Sequence, residues 1–339
     1  MNIILFILGL SLLILAHEAG HFFAAKKFKL LVEEFGFGFP PRLLKKKKGD
    51  TLYTLNALPL GGFVKIHGEY KTEDPAQIKE KSFWALPPFK RIIIVAAGIF
   101  INFIIGWALL FMVYFVGSAS YVAVTAISEN SPAYVAGIKV GDRMSDFKKV
   151  ESFIGFVSQN KGKETILNIE RDGKEINLKV IPRENPPAGE GSLGVTLIDT
   201  GIPKSGFFGS IYGSLKSTLF IMKSIYQNLY NLVFGAFTGK SVFKDLVGPV
   251  GIFQVANQTA KFGFVYLLQL IALISLNLAA LNSLPFPALD GGRILFILIE
   301  KLKGSPIKKE REAIINAIGF AVLFLLMIAI TIKDVLKIF

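Results

Sequence analysis

Residues 3–25, IILFILGLSLLILAHEAGHFFAA, form a strongly apolar segment that carries the polar stretch His17-Glu18-Ala19-Gly20-His21 near its end. A helix of this length, at about 1.5 Å per residue, spans the hydrocarbon core of a bilayer. Ionisable side chains in a membrane helix cost on the order of 3 kcal/mol each, so they indicate a function. Residues four apart share one helix face, so His17 and His21 can ligate one metal ion, with Glu18 beside them as a general base. The pattern H-E-x-x-H also arises by chance in soluble proteins, but inside an apolar segment it indicates a metal site.

The composition is that of a membrane protein with a soluble insert. Of the 339 residues 52% are hydrophobic, and the mean hydropathy is +0.52, above the range of typical soluble domains. The chain has no cysteine, which excludes disulfides and thiolate ligands, so a metal must use histidine and carboxylate. The net charge of +13 could suggest a nucleic-acid partner. Much of that charge flanks apolar segments, however, so we expect no nucleic-acid partner.

Apolar segments and basic loops together predict the membrane topology. The loop at 26–91 carries 14 Lys and Arg against 7 Asp and Glu, and the short loop near 300–312 is also basic. The positive-inside rule puts both loops in the cytoplasm, and both termini and the long insert on the other side. A cleaved signal peptide is the alternative for the N-terminus, but its basic residues should precede the apolar run, whereas here they follow it. The predicted spans are 3–25, 92–116, 264–284 and 317–332.

Two histidines leave a tetrahedral metal site short of one protein ligand. His67, in a polar loop, is one candidate, but we expect it to be a solvent-exposed loop histidine. Asp290 is the better candidate, since Pro285, Pro287 and the two glycines after Asp290 would interrupt the helix that begins near Phe264. In the predicted topology the first and third spans both run towards the cytoplasm, so Asp290 reaches the depth of the two histidines.

The basic loop holds features that predict a β-hairpin on the membrane. Residues 51–58 and 61–66 alternate as two strands of a hairpin would, with glycines between them. The segment 36–40, which includes Gly36 and Gly38, can provide an edge strand for an extended peptide. The lysine run at 45–48 predicts attraction to anionic membrane lipid, and aromatic residues that would stack on nucleic-acid bases do not interleave with it.

The insert reads as a small α/β domain. Strands are predicted at 121–127 and 193–197, and a hairpin at 164–171 and 174–182 around Asp172-Gly173. Ser131-Pro132 opens a short helix. After the insert, 207–237 has helical periodicity and predicts an amphipathic helix on the membrane surface. A fifth span is the alternative, against which Lys216 and Lys223 argue.

The motifs resemble those of the site-2 protease family of intramembrane zinc proteases, in the bacterial branch that includes the regulator of sigma-E protease. The likeness covers nearly the whole chain, although one PDZ-like phrase is visible where some family members have two. The matching elements are H-E-x-x-H at 17–21, G-x-G at 36–38, PLGGFVK at 59–65, the PDZ-like phrase NSPAYVAGIKVGD at 130–142, GPVG at 248–251, and Asn277 and Asn282 followed by LPFPALDGG at 284–292.

The resemblance implies one Zn²⁺ per chain, held by His17, His21 and Asp290, with Glu18 as the catalytic base. It also implies that a β-loop around Gly36 and Gly38 pairs with the substrate. A shorter likeness, to the carboxylate-binding loop of PDZ domains, covers Leu193, Gly194 and Val195. The residues that would shape the substrate cleft are Asn277, Asn282, Pro285 and Pro287.

The sequence thus predicts a polytopic α-helical membrane protein with about four transmembrane helices, a cytoplasmic-side membrane-associated β-hairpin region and one inserted α/β PDZ domain. The expected parts are 1–116 with the H-E-x-x-H motif, 117–200 as an extracytoplasmic PDZ domain, 201–262 as a membrane-surface region, and 263–339 with the L-D-G motif.

The expected function is zinc-dependent cleavage, in the bacterial inner membrane, of single-span proteins that another protease has already cut, such as anti-sigma factors or signal-peptide remnants. The active site would lie near the cytoplasmic side. A metal transporter and a catalytically inactive PDZ scaffold are the alternatives. The transporter explains the ligands but not the insert, and the scaffold does not explain intact motifs.

Overall fold

The computed structural model describes residues 2–69, 79–171, 173–238, 246–305 and 307–337. The chain divides into two compact units. The first comprises Met1–Leu110, Leu215–Ala256 and Leu270–Phe339, and the second Phe111–Ser214 and Asn257–Gln269.

Helices account for most of the first unit, and several continue into the second. Within the described residues, four helices are long and apolar enough to cross a membrane, which confirms the predicted number of apolar spans. The last of these helices begins at Lys309, earlier than the predicted start at 317. Its first turns carry charged residues, so a prediction based on apolar residues does not include them. The helices are α1 (Asn2–Lys27), α2 (Pro88–Val116), α3 (Pro132–Val135), α4 (Val150–Gln159), α5 (Phe207–Phe237), α6 (Pro249–Lys261), α7 (Phe264–Asn282), α8 (Asp290–Lys303) and α9 (Lys309–Leu336), of which α1, α2, α7 and α9 contain the four candidate spans.

Glycines let α2 pack closely against two other helices. A methyl group on Gly20 of α1 would lie 2.6 Å from Ala97 O of α2. A methyl group on Gly106 of α2 would lie 2.6 Å from the side chain of Leu276 of α7. Neither position has room for a side chain, so α2 lies between α1 and α7 with short interhelical distances.

Helix α5 has the predicted extent and is not among the four candidate spans. It packs one face on the protein, where Ile225 joins a buried cluster with Leu110, Ala272 and Leu276. The apolar residues of 207–237, whose periodicity predicted the helix, therefore include residues that pack against α2 and α7.

Two long strands, β1 (Val32–Lys48) and β2 (Thr51–Ile66), form the sheet of the first unit. The predicted hairpin within 51–66 is wrong, since that segment is one strand and the turn lies at Gly49 and Asp50, where Gly49 has a φ of +61°. Both parts of β2 pair with β1. Residues 62–66 pair with one side of 32–37, and residues 52–55 lie on its other side and also pair with 44–47.

The second unit contains a five-stranded antiparallel sheet in the order β6-β5-β4-β3-β7. Its core contains Val124, Met144, Phe153 and Ile169. Ser131 caps α3 by accepting a hydrogen bond from Tyr134 N at 3.2 Å, as its place before a proline predicts. The strands are β3 (Val122–Ile127), β4 (Arg143–Met144), β5 (Thr165–Arg171), β6 (Lys174–Val180) and β7 (Val195–Asp199).

Three of the four strands predicted in the insert have nearly the predicted bounds. The fourth begins two residues late, because Gly194 has a φ of +69° and turns the chain before β7. The short strand β4 and helix α4 were not predicted. The β5–β6 hairpin is present with Arg171 paired to Lys174, while Asp172, part of its predicted turn, lies outside the described residues.

Candidate metal centre

His17 and His21 of α1 meet Asp290, the first residue of α8, in a buried cluster. The Nε2 atoms of the two histidines are 3.2 Å apart. Asp290 Oδ2 lies 3.0 Å from His17 Nε2 and 3.3 Å from His21 Nε2. Within the described parts of the chain, these three residues are the one group of at least three His, Asp or Glu side chains arranged to hold a metal ion.

The three donor atoms fit a tetrahedral zinc ion. Bonds of about 2.0–2.1 Å at tetrahedral angles put neighbouring ligand atoms about 3.3 Å apart, close to the separations found here. His21 Nδ1 donates a hydrogen bond to Ile94 O at 2.9 Å, so in the neutral ring Nε2 carries a lone pair directed into the cluster. Asp290 Oδ2 is buried and receives no conventional hydrogen bond from the described residues. A cation between these atoms would remove their mutual repulsion.

The loop before α8 folds tightly onto the first turn of the helix and so places Asp290. A methyl group on Gly291 would lie 2.2 Å from Leu284 O, and one on Gly292 would lie 2.2 Å from Phe286 O. Only glycine fits at both positions. Ala288 has a φ of +73°, and its N–H donates to Asn316 Oδ1 of α9 at 3.0 Å. The two glycines of the L-D-G-G sequence therefore let the loop carbonyls approach α8.

One face of α2 lies against both histidines. Ile94 contributes the carbonyl that orients His21, and a methyl group on Gly98 would lie 2.4 Å from His21 Nε2 and 2.8 Å from His17 Cε1. Asn102 Nδ2 is 3.4 Å from His17 Nδ1. These residues were not predicted, although their spacing of four in an otherwise apolar segment is a sequence signal.

Glu18 is half-buried and lies beside the ligand cluster and strand β2. A methyl group on Gly62 of β2 would be 3.5 Å from Glu18 Cγ and 3.2 Å from Gly36 O. Strand β2 therefore passes close to Glu18, and a side chain at Gly62 would be in tight contact with Gly36 O. This places an extended backbone next to the candidate general base.

His67 does not join the cluster, and the prediction that it is solvent-exposed is wrong. It is buried, and Nδ1 donates to Glu33 Oε1 at 2.7 Å. Glu33 also pairs with Lys65 at 2.6 Å. Burial raises the pKa of the Glu33 carboxyl, but hydrogen bonds from Lys65 and His67 outweigh it and hold the pKa below its ordinary value. His67 therefore belongs to an ion-pair network at the end of β2.

The predicted substrate residues of the β-loop lie inside its sheet. Gly36 is paired on one side with Phe63 and on the other with Thr54. Gly38 has a φ of +79°, and its carbonyl accepts a hydrogen bond from Asn56 Nδ2 at 2.9 Å. The prediction that 36–40 is an edge strand is therefore wrong at Gly36, because residues of β2 pair with Gly36 on both sides.

The other predicted substrate residues lie on α7 and in the loop after it. Asn277 donates to Leu273 O of its own helix at 2.9 Å and lines a cavity of about 1000 Å³ between α5 and α7. Asn282 is the last residue of α7. Pro285 is exposed, and Pro287 packs against Gly319 of α9.

Leu193, Gly194 and Val195 lie at the start of β7, in the second unit. The Leu193 side chain is buried in the core, and its carbonyl accepts from Ala133 N at 3.1 Å. Gly194 N–H donates to Gly191 O at 2.9 Å, and Val195 pairs with Ile127. Strand β7 is at the edge of its sheet.

Several known proteins are similar to this chain over nearly its whole length. The family model described as Peptidase family M50 matches residues 5–326. The chain is 36% identical to a Clostridium acetobutylicum protein with the provisional name of a zinc metalloprotease, over 98% of this chain and 97% of that protein. It is 30% identical to the regulator of sigma-W protease RasP of Bacillus subtilis, over 100% and 99% of the two chains. It is 29% identical to the zinc metalloprotease RasP of Shouchella clausii, over 100% of both. The chain therefore belongs to peptidase family M50 and is a metalloprotease of the site-2 type.

Proposed function

We propose that this protein is an intramembrane zinc protease that cuts the membrane-spanning segments of single-span proteins. The observation that carries the proposal is that His17 and His21, in a helix long and apolar enough to cross a bilayer, meet Asp290 of α8 beside Glu18. A buried cluster of this kind in a membrane helix is costly unless it is used.

His17, His21 and Asp290 would hold one Zn²⁺. The carboxylates of Asp290 and Glu18 together would offset its charge of +2. When bound, the ion supplies a Lewis acid that polarises a peptide carbonyl and acidifies a water molecule. Glu18 takes the proton of the water that attacks the scissile carbonyl and passes it to the leaving nitrogen. Burial of the cluster strengthens these interactions, because the local dielectric constant is low.

The substrate would bind extended, because a helix hides its carbonyls in internal hydrogen bonds. Residues 62–66 of β2 pair with β1 on one side, and the pairings found within the described residues leave their other side open to a further strand. Gly62 lies against Glu18. We therefore assign strand addition to 62–66, with Gly36 behind that strand, where a side chain would collide with Phe63.

The cavity between α5 and α7 would receive the substrate segment before it unwinds. Asn277 lines it, and its side-chain oxygen can accept a hydrogen bond from a substrate N–H while its nitrogen serves Leu273 O. Asn282, Pro285 and Pro287 lie between α7 and Asp290 or at the end of α7. They would shape the cleft at the break between α7 and α8.

We propose that 117–200 is an extracytoplasmic PDZ domain, followed by a membrane-surface region at 201–262 and the second half of the active site at 263–339. The first half lies in 1–116. In the insert, β7 is an edge strand and Val150 N of α4 donates to Asp199 Oδ1 of β7 at 2.5 Å. A peptide groove between β7 and α4, with Leu193, Gly194 and Val195 at one end, would suit the PDZ mode of strand addition. The domain would exclude substrates that another protease has not yet shortened.

The β1–β2 turn region would lie on the cytoplasmic surface of the inner membrane. Leu43 and Leu44 are exposed, and the lysines at 45–48 follow them directly. Exposed apolar groups next to a cationic run favour the interface of an anionic membrane. A cytoplasmic position of this loop puts Glu18 near the same face, as the positive-inside rule predicts for 26–91.

Anti-sigma factors are one substrate class consistent with this site, and the name of the Bacillus subtilis relative, a regulator of sigma-W, supports that choice. Signal-peptide remnants are a second class of short membrane helix that would fit. Metal transport remains the alternative from another class. It requires ion flux in liposomes and gives no role to an extended strand beside a carboxylate.

Glu18→Gln in purified full-length protein tests the proposal. The amide keeps the shape of the carboxylate but cannot take the proton, so we expect cleavage of a membrane-segment substrate to fall at least about 10²-fold with metal content unchanged. Glu80→Gln, at an exposed position outside the cluster, is the control and should cleave at nearly the parental rate. Full activity of Glu18→Gln would refute the role of Glu18, and zinc flux without cleavage by the parent would favour a transporter.

A further inference from the structure

Asn102 is a fully buried polar residue in the middle of the apolar helix α2. Its backbone carbonyl accepts a hydrogen bond from Ser275 Oγ of α7 at 2.7 Å, so the residue is fixed between two helices. The side-chain nitrogen faces His17 Nδ1 at 3.4 Å. The side-chain oxygen is buried and has no hydrogen-bond partner among the described residues. A polar side chain so placed is costly unless it has a partner.

The protonation pattern of His17 decides how the carboxamide must point. His17 Nε2 is directed at Asp290 and His21 and must carry a lone pair to bind a metal ion. The neutral ring then carries its proton on Nδ1. An NH₂ group facing that N–H would put two donors against each other, whereas a rotation of the carboxamide by 180° brings Oδ1 to the same place with almost the same shape.

We propose that Asn102 is a positioning residue of the metal centre, whose Oδ1 accepts the Nδ1–H of His17 and so fixes the tautomer and the plane of that ring. The proposal rests on the metal site proposed above. It gives the otherwise unpartnered oxygen a donor. It also gives each histidine one acceptor on α2, Ile94 O for His21 and Asn102 Oδ1 for His17.

The two acceptors differ in kind for a steric reason. Gly98 has no side chain, and a methyl group there would lie 2.4 Å from His21 Nε2. His21 can therefore approach the helix closely enough to reach a backbone carbonyl. One turn further along α2, Asn102 occupies the space beside His17 with its own side chain, which supplies the acceptor. Hydrogen bonds to the second nitrogen of a ligand histidine orient it and raise its basicity.

Zinc affinity of the full-length protein in detergent, measured by competition with a chelator, tests this role together with the absorption spectrum of the Co²⁺-substituted protein. In Asn102→Leu we expect about 10- to 100-fold weaker zinc binding and a changed Co²⁺ spectrum. Asn102→Asp keeps an acceptor oxygen and should stay within about threefold of the parent. Ser275→Ala removes a hydrogen bond to the backbone of the same residue and should leave zinc affinity unchanged.

Parental affinity and spectrum in a folded Asn102→Leu would overturn the role of Asn102 and leave the metal site standing. If Asn102→Leu does not fold, Asn102→Asp decides, and a loss greater than tenfold there would overturn the role. Equal losses in Ser275→Ala and Asn102→Leu would also overturn it, because a packing defect between α2 and α7 would then account for both. Failure of the parent to bind zinc or Co²⁺ would overturn the metal site itself.

Discussion

Gly98→Ala should damage the metal centre although it replaces none of the ligand residues. The added methyl group would lie 2.4 Å from His21 Nε2, 2.6 Å from His21 Cε1 and 2.8 Å from His17 Cε1. An ordinary carbon contact needs about 3.5 Å, so His21 must retreat by roughly 1 Å or α2 must move away from α1. The second route would open the close contact in which Gly20 of α1 lies against the backbone of Ala97 of α2.

A displacement of roughly 1 Å in a catalytic group costs about 10²-fold in rate, and loss of support for a metal ligand costs about 10- to 100-fold in affinity. We therefore expect Gly98→Ala to bind zinc at least about tenfold more weakly and to cleave about 10²-fold more slowly at a fixed metal concentration. The assays are chelator competition for zinc and cleavage of a membrane-segment peptide in detergent.

Gly106→Ala is the matched control, two turns further along the same helix. Its methyl group would lie 2.6 Å from the Leu276 side chain and 3.2 Å from Ala272 O, so it is also crowded, but against α7 and not against the ligands. It should lower the thermal unfolding temperature while zinc affinity stays parental. Parental zinc affinity in Gly98→Ala, or equal losses of affinity in both variants, would refute the reasoning.

Two further predictions concern the third ligand and the substrate strand. Asp290→Ala should lower zinc affinity sharply, whereas His67→Ala, which breaks the pair with Glu33 away from the cluster, should keep the parental metal content. The reverse result, measured by metal analysis, would exchange their roles. Proline at Phe63 or at Val64 removes one backbone N–H donor from β2, and successive donors along a strand point to opposite edges. One of the two variants should therefore lose a hydrogen bond to the substrate. We expect that variant to cleave roughly tenfold more slowly with zinc retained. Equal cleavage by both proline variants and the parent would exclude strand addition at 62–66.

The parts of the site that could be predicted from the sequence are those fixed by local geometry. His17 and His21 are four apart in one helix, and their shared face follows from the helix itself. Asp290 could be predicted because Pro285, Pro287 and the glycines that follow Asp290 indicate a broken helix. At membrane depth, a broken helix lines a cavity or packs on protein. The break between α7 and α8 lies where these residues predict it.

The β-loop shows why the rest could not be predicted. Pro59 and the glycines at 61 and 62 look like a turn, yet they lie inside β2, and the chain turns at Gly49. Gly62 lies close to Glu18 and to Gly36 O, and these are contacts between segments that are far apart in sequence. A glycine required by tertiary packing and a glycine required by a turn look the same in the sequence.

The role of α2 depends on a register between helices that periodicity alone cannot give. Ile94, Gly98, Asn102 and Gly106 follow one another at intervals of four along α2, and they contribute in four ways. Ile94 offers a carbonyl to His21, Gly98 offers space to both rings, Asn102 faces His17, and Gly106 admits Leu276 of α7. Changes at Gly98 and Asn102 should therefore alter zinc affinity, whereas a change at Gly106 should alter stability alone. If instead all three variants lost affinity in proportion to their loss of stability, α2 would be a packing element, and the orientation of the histidines would be decided within α1 and α8.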